Sequence, residues 1–208
     1  MLKLKKYKEQ LERWPNSGKH IMAQYDEETV VVYQAYRPSI GNFAAKNQFF
    51  GGDFKYTRMS WIKPNFLWMM FRSGWGKKEG QEVTLAIYLH RDFFNRVLVS
   101  AYPSTCPKTM EFEAWKRDIA NTNVRLQWDP DHDPNGNCTV RRAIQLGLRN
   151  EFLEPFKGDG IAKIEDISDF VAEQYEVLQT KGEDYLMTPE ERPYLVDEVQ
   201  SKALAMEK

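Results

Sequence analysis

The chain has 208 residues, of which 42% are hydrophobic, 28% charged and 13% aromatic, enough apolar matter for a sizeable core and the wrong composition for a disordered, collagen-like or disulfide-scaffold protein. Its 29 Lys and Arg against 30 Asp and Glu give a net charge of -1, which argues against a protein that coats duplex DNA by bulk charge, so any polyanion site has to be local. Cys106 and Cys138 lack metal-ligand spacing, and there is no signal peptide or long apolar run, so a reducing cytoplasm with no membrane contact is the expected setting and a single disulfide stays open.

In chain order, residues 2–11 are compatible with a short basic amphipathic helix, an N-terminal packing arm closed by the turn residues at 14–18. Residues 29–36 are β-branched and aromatic and predict a central strand, ended by Arg37-Pro38-Ser39. A helix is expected from Ile40 to Phe50, stopped by Gly51-Gly52. The alternation over 54–59 predicts a second strand, after which Ser60 is placed to cap an unusually aromatic helix running to Gly74. Residues 82–89 read as the clearest buried strand, followed by helices over 91–99 and 111–121. A strand over 124–128 runs into the breaker-rich loop 129–137; residues 139–148 fit either strand or helix. A short helix to Phe156 and a strand over 161–167 follow, and the acid-rich stretch 189–208 reads as a surface helix. Together these elements predict one α+β domain with a largely antiparallel central sheet flanked by helices: an arm over 1–19, a core over 20–170 and an acidic helical region over 171–208.

Chemistry concentrates in two places. Between Lys55 and Lys78 the charged residues are Lys55, Arg58, Lys63, Arg72, Lys77 and Lys78, with no acid among them and with Trp61, Phe66, Trp68, Phe71 and Trp75 interleaved. Cations fix phosphates and aromatic faces stack on bases, so this segment has the components of a nucleotide or RNA site. Helical spacing assigns Phe66, Trp68 and Phe71 to the core and leaves Arg58, Ser60, Trp61 and Lys63 as site residues. The second place is the loop 129–137, whose alternating Asp129, Asp131, Asp133 and Asn135 fail the calcium-loop pattern at Pro134 and Val140. Its His132, flanked by carboxylates, fits a structural turn, proton chemistry or a metal ligand. His20 and His90 are candidates to line a cleft. No metal-binding or hydrolase motif, phosphate loop or dinucleotide fingerprint is present, and no metal is expected.

The runs HIMAQYDEETVVVYQAYRPSIGNFA from His20, FKYTRMSWIKPNFLWMMFRSGW from Phe54, QWDPDHDP and RRAIQLGLR resemble the domain-of-unknown-function family 4291 over nearly the whole chain, a grouping with no settled activity. More distantly, the order of elements is similar to ADP-ribosyltransferase-like folds. That resemblance implies NAD as cofactor: Tyr33, Gln34, Tyr36 and Arg37 match the first NAD-binding motif, residues 57–61 the second, and residues 143–147 the third. It implies that Arg37 contacts the pyrophosphate, that Tyr36 or Tyr56 stacks on nicotinamide, that Ser60 orients the ribose and that Gln145 holds its hydroxyls. Gln34 stands near the arginine of toxin-like members and Gln145 in place of their acid. Taking these residues with those read from the chain itself, the candidate catalytic set is Gln145 and Ser60 from the resemblance and His132 from the acidic loop, and the candidate binding set is Tyr33, Gln34, Tyr36, Arg37 and Tyr56 with Arg58, Trp61 and Lys63 of the basic segment. The competing expectations are a non-catalytic RNA or nucleotide-binding module using residues 55–78, and an interaction protein with an acidic tail. A transferase requires the basic segment and Gln145 to converge on one cleft, whereas a surface binder does not.

Overall fold

The computed structural model describes residues 2–206. The elements are β1 (Leu4–Lys6), α1 (Tyr7–Leu11), β2 (Gly18–Lys19), β3 (Met22–Ala23), β4 (Thr29–Tyr36), α2 (Pro38–Asn47), β5 (Ser60–Ile62), α3 (Phe66–Ser73), β6 (Val83–His90), α4 (Arg91–Val99), β7 (Ala101–Pro103), α5 (Phe112–Asn121), β8 (Val124–His132), β9 (Cys138–Leu148), β10 (Ile161–Asp166), α6 (Ser168–Lys181), β11 (Met187–Pro189), β12 (Arg192–Pro193) and α7 (Glu198–Ala203). The expected single central sheet is divided into two main sheets, beside which β1-β11 and β12-β3 form two-stranded ones. Of the main sheets, one has the order β10-β6-β4 and is antiparallel throughout; the other has the order β2-β9-β8-β7, with β5 also paired to β9. They touch through one bridge, Tyr33 to Lys63, where the Tyr33 amide donates to the Lys63 carbonyl at 2.7 Å.

Alternation along β6 explains the layering, because successive side chains leave opposite faces of a strand. Val83, Leu85, Ile87 and Leu89 join Phe93, Phe94, Val97 and Leu98 of α4 and Leu126, Leu146 and Leu148 of the second sheet in one core. Ala86, with Val31 and Tyr33 of β4, meets Phe66, Met69 and Met70 of α3 and Val171 and Leu178 of α6 in another. Helix α2 lies so close to β6 that a Cβ on Gly41 would fall 2.4 Å from Val83 Cγ1. Its end is fixed by Gln48, whose side chain exchanges two hydrogen bonds with the backbone of Ile164.

Several expectations are corrected. Residues 54–59 form turns, not a strand, and their alternation serves instead to pack Phe54 and Tyr56 inward beside Phe50. Ser60 does not cap a helix: it opens β5, and the cap of α3 is Asn65, whose Oδ1 accepts from the Trp68 amide at 2.7 Å. Phe71 is 45% exposed and outside the core, whereas Phe66 and Trp68 are buried. The loop expected at 129–137 shrinks to a turn at 133–137, because β8 continues to His132 and pairs with β9 as a hairpin; residues 138–148 are strand. Of the helix expected over 189–208, the described residues up to 206 form the end of β11, then β12 and α7, with Pro189 and Pro193 the last residues of the two strands. Part of the N-terminal stretch is the strand β1, paired with β11. Both cysteines are free. No helix among the described residues is long and apolar enough to cross a membrane.

Candidate nucleotide cleft

Next to the Tyr33–Lys63 bridge, a cleft of about 740 Å³ is lined by the end of β4, by the segment leading into β5 and by α3. One wall is the outgoing β4 segment, Gln34, Tyr36 and Arg37; the other walls come from residues 53–61 and from Met69 and Arg72 of α3. The β4 wall is tied to β5 by side-chain hydrogen bonds. Gln34 Nε2 donates to Ser60 Oγ at 2.7 Å and to the Trp61 carbonyl at 3.0 Å, and the Tyr36 and Ser60 hydroxyls share a 2.8 Å hydrogen bond. Burial raises the pKa of Tyr36, so its phenol stays protonated. Gln34 Oε1 is buried with no hydrogen-bond partner among the described residues.

The floor is set by strand register. Trp61 lies opposite Gly147, Ile62 opposite Leu146, and Gln127 opposite Gln145, so the next residue along β5, Lys63, shares a face with Trp61, Gln145 and Gln127. A side chain at Gly147 would put its Cβ 2.6 Å from Met59 Sδ and 3.0 Å from the Trp61 ring, so glycine is what lets the indole lie on the floor. Gln145 Nε2 donates to Gln127 Oε1 and to Asp129 Oδ2, both at 2.7 Å. Since the carboxylate can only accept, it fixes the orientation of this amide and leaves the Gln145 carbonyl oxygen for a ligand hydroxyl.

The charges lining the cleft are predominantly basic. Arg37, Lys55, Arg58, Lys63 and Arg72 line it, against Asp53 alone among the acids, and Asp53 is held by Arg37 at 3.2 Å. Four of these cations are exposed at the rim; Lys63 is 5% exposed, and its Nζ has no hydrogen-bond or ion-pair partner among the described residues. Burial pushes its pKa down to about 8, the neighbouring Arg72 adds to the fall, and Asp129 offsets part of it.

Eight of the residues expected at the site, Gln34, Tyr36, Arg37, Arg58, Ser60, Trp61, Lys63 and Gln145, therefore line one cleft. Three do not. Tyr33 leaves the other face of β4 and packs edge-on against Phe66 in the core. Tyr56 gives its hydroxyl to the Phe50 carbonyl at 2.7 Å, and burial pushes its pKa up to about 12. His132 stacks on Phe71 and Trp68, with Nε2 3.5 Å from Cys138 Sγ, and burial lowers its pKa. His20 and His90 are likewise outside the cleft lining. Gln127 and the supporting role of Asp129 escaped the sequence reading; the alternation Arg125, Gln127, Asp129 opposite Gln145 is the signal, usable once the hairpin is known.

The profile of a family described as a domain of unknown function, DUF4291, matches residues 20–194. The chain belongs to the DUF4291 family. The DUF4291 match takes in every residue of the cleft, and leaves outside it the N-terminal arm and α7. No curated protein matches the chain.

Proposed function

We propose that this DUF4291 protein binds a phosphate-bearing nucleotide, NAD in the first instance, and transfers its ribosyl portion to an acceptor in the manner of the ADP-ribosyltransferase-like enzymes. The observation that supports this reading is convergence: Arg37, Arg58, Lys63 and Gln145 come from separate segments of the chain and line one cleft. Arg37, Arg58 and Arg72 suit the pyrophosphate, because a guanidinium offers paired donors to phosphate oxygens. Trp61 supplies a ring face for a base or for nicotinamide. The Gln145 carbonyl, polarised by the bonds its amide gives to Gln127 and Asp129, accepts from a ribose hydroxyl and puts partial negative charge near the anomeric carbon. An amide does this less well than a carboxylate, so slow turnover is expected.

The test is a thermal-shift comparison with NAD, ADP-ribose, ATP and a short single-stranded RNA, followed by an assay of nicotinamide release. A ligand at a hundredfold excess over its Kd adds about 3 kcal/mol to native-state stability, an ample shift. NAD or ADP-ribose should raise Tm in the parent and not in Arg37→Ala, and nicotinamide release should fall in Gln145→Ala. A response to RNA alone sinks the transferase reading. It would favour a single-strand binder, for which the exposed Lys55, Arg58 and Arg72 around a half-buried Trp61 are suitable, with affinity that falls as salt rises and no turnover.

A further inference from the structure

We infer that Lys63 is the nucleophile of this cleft, its ε-amine forming a covalent imine with the anomeric carbon of the ribosyl group seated on the floor. The inference rests on the nucleotide reading above and adds the reacting residue to it.

Elimination among the lining side chains leads to it. Arginine stays charged and has no lone pair to give, which removes Arg37, Arg58 and Arg72. Asp53 is tied to Arg37 at the exposed rim. The Ser60 hydroxyl accepts from Gln34 and shares its other bond with a protonated Tyr36, so no base is in reach to activate it. Lys55 is exposed and solvated. Lys63 is buried, unpaired among the described residues and on the same strand face as Gln145, the residue that would hold the ribose hydroxyls. Its stem is buried while the side chain lines the cleft, and desolvation without an ion pair leaves a usable fraction of free amine near neutral pH.

The step balances without any further reactant. The Nζ lone pair bonds to the anomeric carbon as the bond to the nicotinamide nitrogen breaks, the pyridinium taking that electron pair and leaving as neutral nicotinamide. The new ammonium loses a proton to water. The nitrogen lone pair then forms the C=N bond as the bond from carbon to the ring oxygen opens, and that oxygen takes up a proton. Addition of water or an acceptor to the imine carbon and reclosure of the ring expel the Lys63 amine.

Incubating the full chain with ADP-ribose and cyanoborohydride, then mapping adducts by mass spectrometry, tests this directly, because ADP-ribose presents the same carbon as an aldehyde. One saturable adduct is expected at Lys63, retained in Lys46→Met and absent in Lys63→Met and Lys63→Arg. With NAD, nicotinamide release should fall by about ten-fold or more in both Lys63 variants, with their melting temperatures recorded alongside to check that each is folded. Lys63→Arg keeps the positive charge, so turnover preserved in that variant would make Lys63 a mere phosphate contact and overturn the inference. If NAD and ADP-ribose still raise Tm while adducts scatter over surface lysines, the nucleophile is wrong and the nucleotide reading stands. If neither ligand raises Tm, both fall.

Discussion

A lysine that is 5% exposed and has no counter-ion among the described residues lowers the stability of the fold that holds it, and Lys63 is such a residue. The sign follows from proton counts. Between the folded pKa of about 8 and the ordinary lysine value of 10.5, the unfolded chain binds the proton and the folded chain does not, so stability rises with pH through that window and the full penalty applies below it. A shift of this size corresponds to about 3 kcal/mol. Lys63→Met, which keeps the length of the stem and removes the charge, should therefore be more stable than the parent by a few kcal/mol at pH 7, with the gain closing as pH approaches 10.5. Urea midpoints at pH 7 and pH 10 measure it, and a variant that is less stable at pH 7 would refute the account. The same reasoning explains why position 145 carries an amide. A carboxylate there would face Asp129 and the Gln127 carbonyl with no hydrogen to give either, whereas glutamine donates to both.

The β8–β9 hairpin decides where the floor of the cleft lies, and it is the element that the sequence hides. The dipeptides Asp129-Pro130 and Asp133-Pro134 read as breakers, yet β8 runs on to His132 because its register shifts between Pro130 and His132, and a bulge tolerates the missing amide of proline. Asp131 is acceptable inside this strand because Arg141 of β9 pairs with it at 2.5 Å while also donating to the Pro15 carbonyl. Neither partner is visible in a linear pattern of breakers. Strands β4 and β6, helices α4 and α5 and the basic segment were legible, since each rests on local periodicity or charge. The β5 segment was not: its three residues become a strand only by pairing with Leu148, Gly147 and Leu146 far along the chain. Replacing Arg141 by Met would strand a fully buried carboxylate and should cost about 3–5 kcal/mol, part of it recovered by adding Asp131→Asn. Denaturant unfolding of the single and double variants checks this, and a loss well under about 1 kcal/mol in the single variant would show that Asp131 finds water or another partner.

At the scale of the whole molecule the N-terminal segment 4–14 joins the segment 187–191 beside α3, the helix that carries Met69 and Arg72 to the cleft. Strand β1 pairs with β11, Gln10 Nε2 donates to Thr188 Oγ1 at 2.8 Å, and Trp14 Nε1 donates to the Glu191 carbonyl at 2.9 Å. Where these segments join, Glu191 is 4% exposed, and its Oε1 accepts from the Phe66 amide at 2.7 Å, in the first turn of α3. Burial holds its carboxyl well above the usual range; the Phe66 bond pulls the other way, nearby Asp131 adds to the rise and Arg141 offsets part of it. An acid whose pKa is raised by folding keeps its proton in the native state where the unfolded chain has lost it, so stability falls as pH climbs from 4.5 toward the folded value. Glu191→Gln preserves an oxygen for the Phe66 amide and removes that liability. Its melting temperature should exceed the parent's at pH 8 and converge on it as pH drops to 4.5. Equal melting temperatures across the range would mean that the carboxyl is paired as well as a solvated one, and that the joining of segments 4–14 and 187–191 beside α3 carries no electrostatic strain.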